Sequence, residues 1–178
     1  MTVKVSPNFS LEVPEGDDKQ RSVCQTCTFI DYQNPKIVAG SVVLKDGKIL
    51  LCKRAIEPRK GFWTLPAGFM ELGESVEEAA QREAQEEALA DIQIDRLLAV
   101  YSVPRIGQVQ VMFRASLQGD YGVGPESEEV KLVEWKDIPW SQLAFPTVVW
   151  ALTHFAETRD QDVFAPFGNP PGTDALTR

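Results

Sequence analysis

Alternating apolar and polar residues predict a series of β-strands across the middle of this 178-residue chain. Residues 37–44 and 48–54 flank Asp46 and Gly47, a dipeptide that favours a tight two-residue hairpin turn. Three further stretches of extended sequence are expected to be strands: residues 92–103, 109–117 and 130–135.

Two segments have helical periodicity instead. Ser75 and, three residues later, Glu78 form a capping box, and small apolar residues then repeat at helical spacing: Val76, Ala79, Ala80, Ala84 and Ala88. Pro146 opens a second helix with one apolar face: Val148, Ala151, Leu152 and Phe155. Strands before, between and after two helices predict an α/β fold in which a mixed sheet is covered on both faces.

The two ends of the chain differ from this central region. Residues 1–35 are polar and contain two prolines near the start, so we expect an N-terminal arm. Residues 36–158 contain the predicted strands and helices, and their length suits one domain. Residues 159–178 are rich in Pro and Gly, which predicts a loose C-terminal tail.

A cluster of glutamates occupies the first helix and the loop before it. Residues 68–90 contain seven glutamates and one basic residue, Arg82. Glu83, Glu86 and Glu87 stand at positions i, i+3 and i+4, so their carboxylates share one helix face and repel one another. Such a face suits a hard cation, Mg²⁺ or Mn²⁺, because these ions prefer oxygen ligands. The alternative is a solvated acidic helix without a metal.

The spacing within this segment resembles the Nudix box. The anchor residues are Gly68, five residues, Glu74, seven residues, Arg82 and Glu83, Ala84, one residue, then Glu86 and Glu87. Residues 63–68 are similar to the usual lead-in to that box. The resemblance implies the Nudix α/β/α sandwich with a mixed β-sheet, covering about residues 36–158.

One position departs from the Nudix pattern. The family has Gly two residues after the paired glutamates, where this chain has Leu89. Glycine there lets the helix end in a left-handed turn, and a leucine in that conformation costs about 1–2 kcal/mol. Either the helix continues through Leu89, or the chain turns there despite this cost.

The resemblance implies metal-dependent hydrolysis of a diphosphate. It implies Glu83, Glu86 and Glu87 as metal ligands, with a backbone carbonyl of Ala67 or Gly68 as a further oxygen ligand. Arg82 is expected to orient these carboxylates, although a surface ion pair is the alternative. Nudix enzymes often recruit another carboxylate as base or ligand, and the loop at 124–129 offers two unranked candidates, Glu126 and Glu129.

Four other residues are weaker candidates for substrate binding. Arg54, at the end of the second predicted strand, is a candidate for phosphate contact or an ordinary surface residue. Trp63, Phe69 and Tyr101 are candidates for stacking on a base, with core packing as the alternative for each. His154 lies on the second helix, away from every motif, and is expected to be structural.

Composition narrows the function classes. The formal net charge of −8 argues against a general nucleic-acid surface, and it means that a phosphorylated substrate needs cations to bind. No apolar stretch approaches the ~20 residues that cross a bilayer, and no signal peptide is apparent. Three cysteines do not form a disulfide framework, so we expect a cytoplasmic protein. The expected assembly is a homodimer without nucleic-acid or membrane partners.

Cys24 and Cys27 form half of a four-ligand zinc motif. Residues 13–36 resemble the N-terminal ribbon of bacterial ADP-ribose/FAD pyrophosphatase-like proteins and the plant chloroplast FAD pyrophosphatase. In those proteins an upstream cysteine pair completes the site. Here the first 23 residues contain neither Cys nor His. We therefore expect a degenerate ribbon that binds no zinc.

Further resemblance concerns the substrate. Segments at residues 102–104, 124–127, 137–139 and 143–146 are similar to the ADP-ribose/FAD group of Nudix enzymes. The expected reaction is hydrolysis of a nucleoside diphosphate conjugate, ADP-ribose or FAD, to two monophosphates. The alternatives are a house-cleaning nucleoside triphosphate pyrophosphatase and a Nudix sensor that binds such a ligand without turnover. A nucleic-acid-binding ribbon protein fits the acidic chain poorly.

Overall fold

The computed structural model describes residues 8–173. The chain divides into two compact units, with the boundary between Asn34 and Pro35. In chain order the strands and helices are β1 (Phe9–Glu12), β2 (Arg21–Cys24), β3 (Ile30–Asp31), β4 (Lys36–Lys45), β5 (Lys48–Arg54), β6 (Trp63–Thr64), β7 (Ala67–Phe69), α1 (Val76–Ala88), β8 (Asp91–Val103), β9 (Gln108–Gln118), β10 (Ser127–Val133) and α2 (Pro146–Thr158). Short 3₁₀ turns lie at Pro104–Ile106, Trp135–Asp137 and Trp140–Gln142. In the described part of the chain, no helix is long and apolar enough to cross a membrane.

The first unit is a small antiparallel sheet in the order β1-β2-β3. The turn after β2 carries Cys27 and is closed by two backbone hydrogen bonds, from the Cys24 N–H to the Phe29 carbonyl and from the Thr28 N–H to the Cys24 carbonyl. An Arg21–Asp17 ion pair supports the loop that leads into β2.

The second unit is built on a mixed sheet in the order β10-β5-β4-β9-β8. β4 and β9 are parallel neighbours at its centre, and the other pairs along this order are antiparallel. The predicted hairpin is confirmed: Asp46 and Gly47 both have positive φ, 51° and 74°, as a type I′ turn requires.

The two helices cover opposite faces of this sheet. Because side chains alternate along a strand, Ala39 and Val43 of β4 face α1, whereas Val42 packs in the cluster that contains Leu152 of α2. The predicted α/β/α sandwich with a mixed sheet is therefore confirmed.

The segment after α2 corrects one expectation. Residues 159–178 were expected to be loose, but the described part is held against the edge of β8. Phe167 exchanges backbone hydrogen bonds with Leu98 and Val100, and its ring stacks on His154 with centroids 4.1 Å apart. Two hydrogen bonds join the Asn169 side chain to the Ser102 backbone. Residues 174–178 lie outside the described part of the chain.

The covered strand explains this correction. β8 lies at the edge of the sheet, and its unpaired backbone groups are available to another segment. The two aromatic side chains of this segment, Phe164 and Phe167, pack against the main core. Burial of these aromatic rings and the backbone hydrogen bonds to β8 therefore hold the segment in place, although prolines and glycines surround it.

Candidate active site

α1 brings the glutamates to the sheet because the residues beneath them are small. Its alanines Ala79, Ala80, Ala84 and Ala88 are fully buried. This contact lets the helix lie close to the sheet, so Glu83 and Glu87 on the same side are also buried, at 8% and 5% exposure. The Glu86 side chain remains about half exposed.

β7 supplies the other wall of the site. It pairs with β4, so Gly68 lies opposite Ala39. A Cβ built on Gly68 would lie 2.4 Å from the carboxylate atoms of Glu83, so a side chain there would displace that carboxylate. The N–H of Ala67 donates to Oε2 of Glu87 over 3.2 Å. The glycine at position 68 therefore lets the Glu83 carboxylate lie directly against the backbone of β7.

Arg82 holds the acidic cluster together. Its Nε donates to Glu74 over 2.6 Å, and its Nη1 donates to both Glu83 and Glu86, over 2.7 and 3.0 Å. Its Nη2 donates to Glu74 and to the carbonyl of Phe69. The hydrogen bond to Glu74, opposed in part by burial, raises the pKa of the guanidinium, which stays charged. The expected orienting role of Arg82 matches this geometry.

Sequence reasoning missed the part played by Glu74 in this network. Glu74 was noted as an anchor of the motif without a role. In the structure it binds two nitrogens of Arg82 and also accepts the N–H of Glu71. The only signal in the sequence was the position of Glu74, eight residues before Arg82. Ordinary helix pairs are three or four residues apart, so spacing rules do not predict this contact.

Burial alters the acid–base behaviour of two carboxyls. Removal from water raises the pKa of Glu87 from 4.5 to about 8, and the charges of Glu83 and Glu126 act in the same direction. The charge of Arg54 opposes this rise. Burial also raises the pKa of Glu83, although Arg82 opposes it. Two buried carboxylates are unfavourable unless positive charge compensates them, which fits a cation at this face.

The donor set also fits a hard cation, but the carboxylates are arranged around Arg82. In the part of the chain that the structure describes, no three His, Cys, Asp or Glu side chains converge closely enough to hold a metal ion. Nη1 of Arg82 binds Glu83 and Glu86 together. Ligation of Mg²⁺ or Mn²⁺ by all three carboxylates therefore requires a change in this arrangement, and the half-exposed Glu86 has the most freedom to move.

The structure distinguishes the two loop glutamates. Glu126 lies close enough to Glu83 and Glu87 to contribute to the rise in pKa of both, after burial. Glu129 lies instead on β10, opposite Lys53, and forms an ion pair with Lys131. Glu126 therefore belongs to the acidic cluster, and Glu129 is occupied elsewhere.

Arg54 lies at the end of β5, next to this cluster. Its Nε donates to the carbonyl of Pro58 over 2.8 Å, and its guanidinium stacks over Phe145 at 5.2 Å from the ring centroid. Its charge lowers the pKa of Glu87 against the dominant effect of burial. The position is compatible with the expected phosphate contact.

The expected stacking role of Tyr101 is wrong. Tyr101 is fully buried in the main core, where its hydroxyl hydrogen-bonds Nδ1 of His154 over 2.7 Å and its ring packs edge-on against Trp150. Burial raises the pKa of Tyr101 and lowers that of His154, so this pair is neutral and structural.

Trp63 also packs in the main core, at 8% exposure, which favours core packing over base stacking. Its ring lies under Lys131 and lines a cleft of about 460 Å³. The glutamates of the acidic cluster do not line this cleft. Phe69, by contrast, is half exposed and lies under the Lys36 ammonium group. Of the three aromatic candidates, Phe69 has the most accessible ring.

Cys24 and Cys27, the cysteine pair of the first unit, form no disulfide. All three cysteines of the chain are free thiols; Cys24 is buried and Cys27 is exposed. Backbone N–H groups of Thr26 and Cys27 donate to the Cys24 sulfur and lower its pKa. Across the strand pair, Ser10 and Glu12 of β1 accept hydrogen bonds from the Gln25 side chain. These hydrogen bonds tie β1 to the turn that carries the cysteine pair.

Comparison with known proteins identifies both units. The family model described as NUDIX domain matches residues 35–155, and the zinc-ribbon model described as Nudix N-terminal matches residues 6–33. A crystal structure of a NUDIX hydrolase from Nitrosomonas europaea is 43% identical, with a TM-score of 0.86 over 94% of this chain and 96% of that one.

Two curated relatives are similar to part of the chain. An ADP-ribose pyrophosphatase of Methanocaldococcus jannaschii is 36% identical over 119 residues, 64% of this chain and 69% of the relative. A MutT-like protein of Streptomyces ambofaciens is 39% identical over 98 residues, 55% of this chain, and the match spans only 60% of that relative.

A solved ADP-ribose pyrophosphatase from Streptococcus suis has the same fold at 22% identity, with a TM-score of 0.64 over 76% of this chain and 100% of that one. The family model covers most of the chain, and the structure places the motif residues in one acidic cluster against Gly68. The chain therefore belongs to the Nudix hydrolase family, as a pyrophosphohydrolase.

Proposed function

We propose that this protein hydrolyses the diphosphate of a nucleoside diphosphate conjugate, with ADP-ribose or FAD as first candidates, in the presence of Mg²⁺ or Mn²⁺. The observation that carries the proposal is the intact carboxylate face: Glu83 and Glu87 are buried against β7, and Glu86 is exposed beside them. The substrate class is supported by the ADP-ribose pyrophosphatase of M. jannaschii. A NUDIX domain of Shewanella oneidensis NrtR, solved in complex with ADP ribose, has the same fold at 21% identity.

We assign the metal ligands to Glu83, Glu86 and Glu87. A divalent cation bound there would neutralise the diphosphate and lower the pKa of a water molecule. Arg82 keeps Glu83 in place from one side, while the Ala67 N–H fixes Glu87 from the other. The buried pair would thus enter the reaction already held in place, and the half-exposed Glu86 has the most freedom to turn toward a cation.

We assign the proton transfer to Glu126. Its carboxylate lies beside Glu83 and Glu87, where it can accept a proton from the attacking water. The water oxygen forms a bond to one phosphorus, the bridging P–O bond breaks, and its electron pair leaves with the second phosphate. Arg54, at the rim of the same cluster, is placed to contact a phosphate oxygen.

A substrate panel tests this proposal. The protein is incubated with ADP-ribose, FAD, NADH and nucleoside triphosphates in MgCl₂, and the products are separated by chromatography. We expect AMP with ribose 5-phosphate or FMN, and complete loss of turnover with excess EDTA. Glu126→Gln should lower kcat by about 10²-fold or more, whereas Glu129→Gln should have a much smaller effect.

One observation favours a second candidate. The similarity to a putative 8-oxo-dGTP diphosphatase of Bacillus subtilis, 35% identical over 92 residues, supports a nucleoside triphosphate substrate. Release of pyrophosphate and a nucleoside monophosphate at a higher kcat/KM than any conjugate would establish it. Binding of ADP-ribose without turnover in Mg²⁺ or Mn²⁺ would instead indicate a sensor.

A further inference from the structure

The loop that carries Glu126 is fastened to the C-terminal end of α1. We call residues 119–126 the Glu126 loop. Within it, the N–H of Gly122 donates to the carbonyl of Ala88 over 2.8 Å, and the N–H of Gly124 donates to the carbonyl of Glu87 over 3.1 Å. Two carbonyls that a helix end leaves without intrahelical partners are therefore bonded by this loop.

The contact at Gly124 leaves no room for a side chain. A Cβ built there would lie 1.8 Å from the carbonyl oxygen of Glu86. The N–H of Ser127 then donates to the carbonyl of Gly124, and the N–H of Ala55 donates to the carbonyl of Glu126. The loop thus passes against the backbone of two glutamates of the cluster immediately before it presents Glu126.

Leu89 covers the start of this contact. It ends α1 with φ 48° and ψ 33°, a left-handed conformation that is strained for a leucine. Its Cδ1 lies 3.1 Å from the position of a Cβ on Gly122, so the side chain rests on the glycine backbone. The strained backbone at Leu89 directs its side chain onto the loop.

We propose that Leu89 and Gly122 form a clamp that holds the Glu126 loop on α1, and that Leu89 is a positioning residue for Glu126. The inference rests on the role proposed above for Glu126. The clamp joins the Glu126 loop to the end of the helix that carries the proposed metal ligands, because Leu89 is two residues from Glu87. Without it the loop keeps its hydrogen bonds but loses the apolar cover that fixes their geometry.

Two substitutions at Leu89 separate packing from backbone conformation. Leu89→Asn keeps a residue that tolerates the left-handed conformation but removes the apolar contact, and Leu89→Met retains that contact. With ADP-ribose, or the best substrate of the panel, we expect Leu89→Asn to lower kcat roughly tenfold with little change in KM, since a displaced base affects the chemical step. Leu89→Met should restore kcat to within about twofold.

A double-substitution cycle tests the contact itself. Gly122→Ala adds a methyl group that presses on Leu89, whereas Leu89→Gly removes the obstacle. Gly122→Ala should therefore lower kcat in the native background and have little effect in the Leu89→Gly background, a coupling that independent sites do not show. Gly168→Ala is the matched control, because its Cβ would meet nothing within 4 Å.

Hydrogen exchange gives a readout that needs no substrate. The Gly122 and Gly124 amides should exchange slowly in the native protein and at least about tenfold faster in Leu89→Asn, while amides of the β4–β9 pair keep their rates. Unchanged exchange, additive kcat effects, or a rise in KM alone would each overturn the clamp. Full activity of Glu126→Gln would instead refute the proposed base, while the exchange rates would still decide whether the clamp exists.

Discussion

At the scale of single residues, the site places two carboxyls where water cannot solvate them. Helical spacing placed Glu83 and Glu87 on one face, because positions i and i+4 share a face whatever the rest of the fold does, and the resemblance to the Nudix box implied them as metal ligands. Their burial depends on the alanines of α1 and on the approach of β7, which spacing does not reveal. The sequence therefore predicts which side chains meet, but the shift in their pKa values needs the packed structure.

The aromatic residues show where sequence reasoning stops. Tyr101 alternates into the buried face of β8, and Phe69 lies exposed at the end of β7. Both stand in extended sequence near the motif, so neither composition nor spacing distinguishes them. The distinction depends on which face of a strand is covered by α2, and this is a property of the tertiary fold.

Glu87→Gln tests how much burial of the Glu87 carboxyl makes the stability of the fold depend on pH. Because the pKa of Glu87 rises from 4.5 to about 8 on folding, its protonated form favours the folded state at low pH. This contribution is lost as the pH rises from about 4.5 through 8. In EDTA, the native protein should therefore melt at a lower temperature at pH 8 than at pH 5.5, and Glu87→Gln should reduce this difference.

The half-exposed Glu86 supplies the control for that measurement. Glu87→Gln should reduce the pH dependence of melting more than Glu86→Gln does, because Glu87 is buried and Glu86 is half exposed, and both substitutions should greatly reduce turnover. Equal pH dependence in the native protein and in Glu87→Gln would show that Glu87 ionises normally after folding.

At the scale of elements, α1 begins where its sequence specifies. The Ser75 hydroxyl accepts the Glu78 N–H, and the Glu78 carboxylate accepts the Ser75 N–H, so the predicted capping box is complete. Both partners of that box lie within four residues, which is why sequence alone was sufficient. The end of the helix depends on Gly122, more than thirty residues later, and sequence left its conformation open.

A pair of substitutions at the helix end measures the strain there. Leu89→Gly and Leu89→Ala both remove the side chain, but only glycine adopts the left-handed conformation without strain. Leu89→Gly should therefore be more stable than Leu89→Ala by about 1 kcal/mol in chemical denaturation. Equal stabilities would mean that the helix end relaxes when the leucine contact is lost.

At the scale of the whole molecule, an acidic chain acts on an acidic class of substrate. The net charge of −8 and the cluster around Glu87 both repel a diphosphate, so we expect the proposed reaction to need cations for binding as well as for chemistry. The sequence predicted the need for cations, the α/β/α sandwich and the acidic helix. It did not predict that the segment around Phe167 completes the sheet edge, because short Pro/Gly-rich sequence gives no periodic signal.

We expect the first unit to hold no structural zinc. The zinc-ribbon family model matches residues 6–33, yet Cys24 and Cys27 are the only thiols of that unit, and the single histidine of the chain is His154, on α2. Tetrahedral zinc needs four ligands, and the described part of β1 offers Ser10 and Glu12, which are bound to Gln25.

Protein purified with added zinc and then desalted should therefore contain well below one zinc per chain by atomic emission. Because two thiolates cannot close the site, Cys24→Ser and Cys27→Ser should leave both the zinc content and the melting temperature of the second unit nearly unchanged. One tightly held zinc per chain that is lost in both variants would contradict this prediction. It would also indicate that a second copy of the chain supplies the missing thiolates.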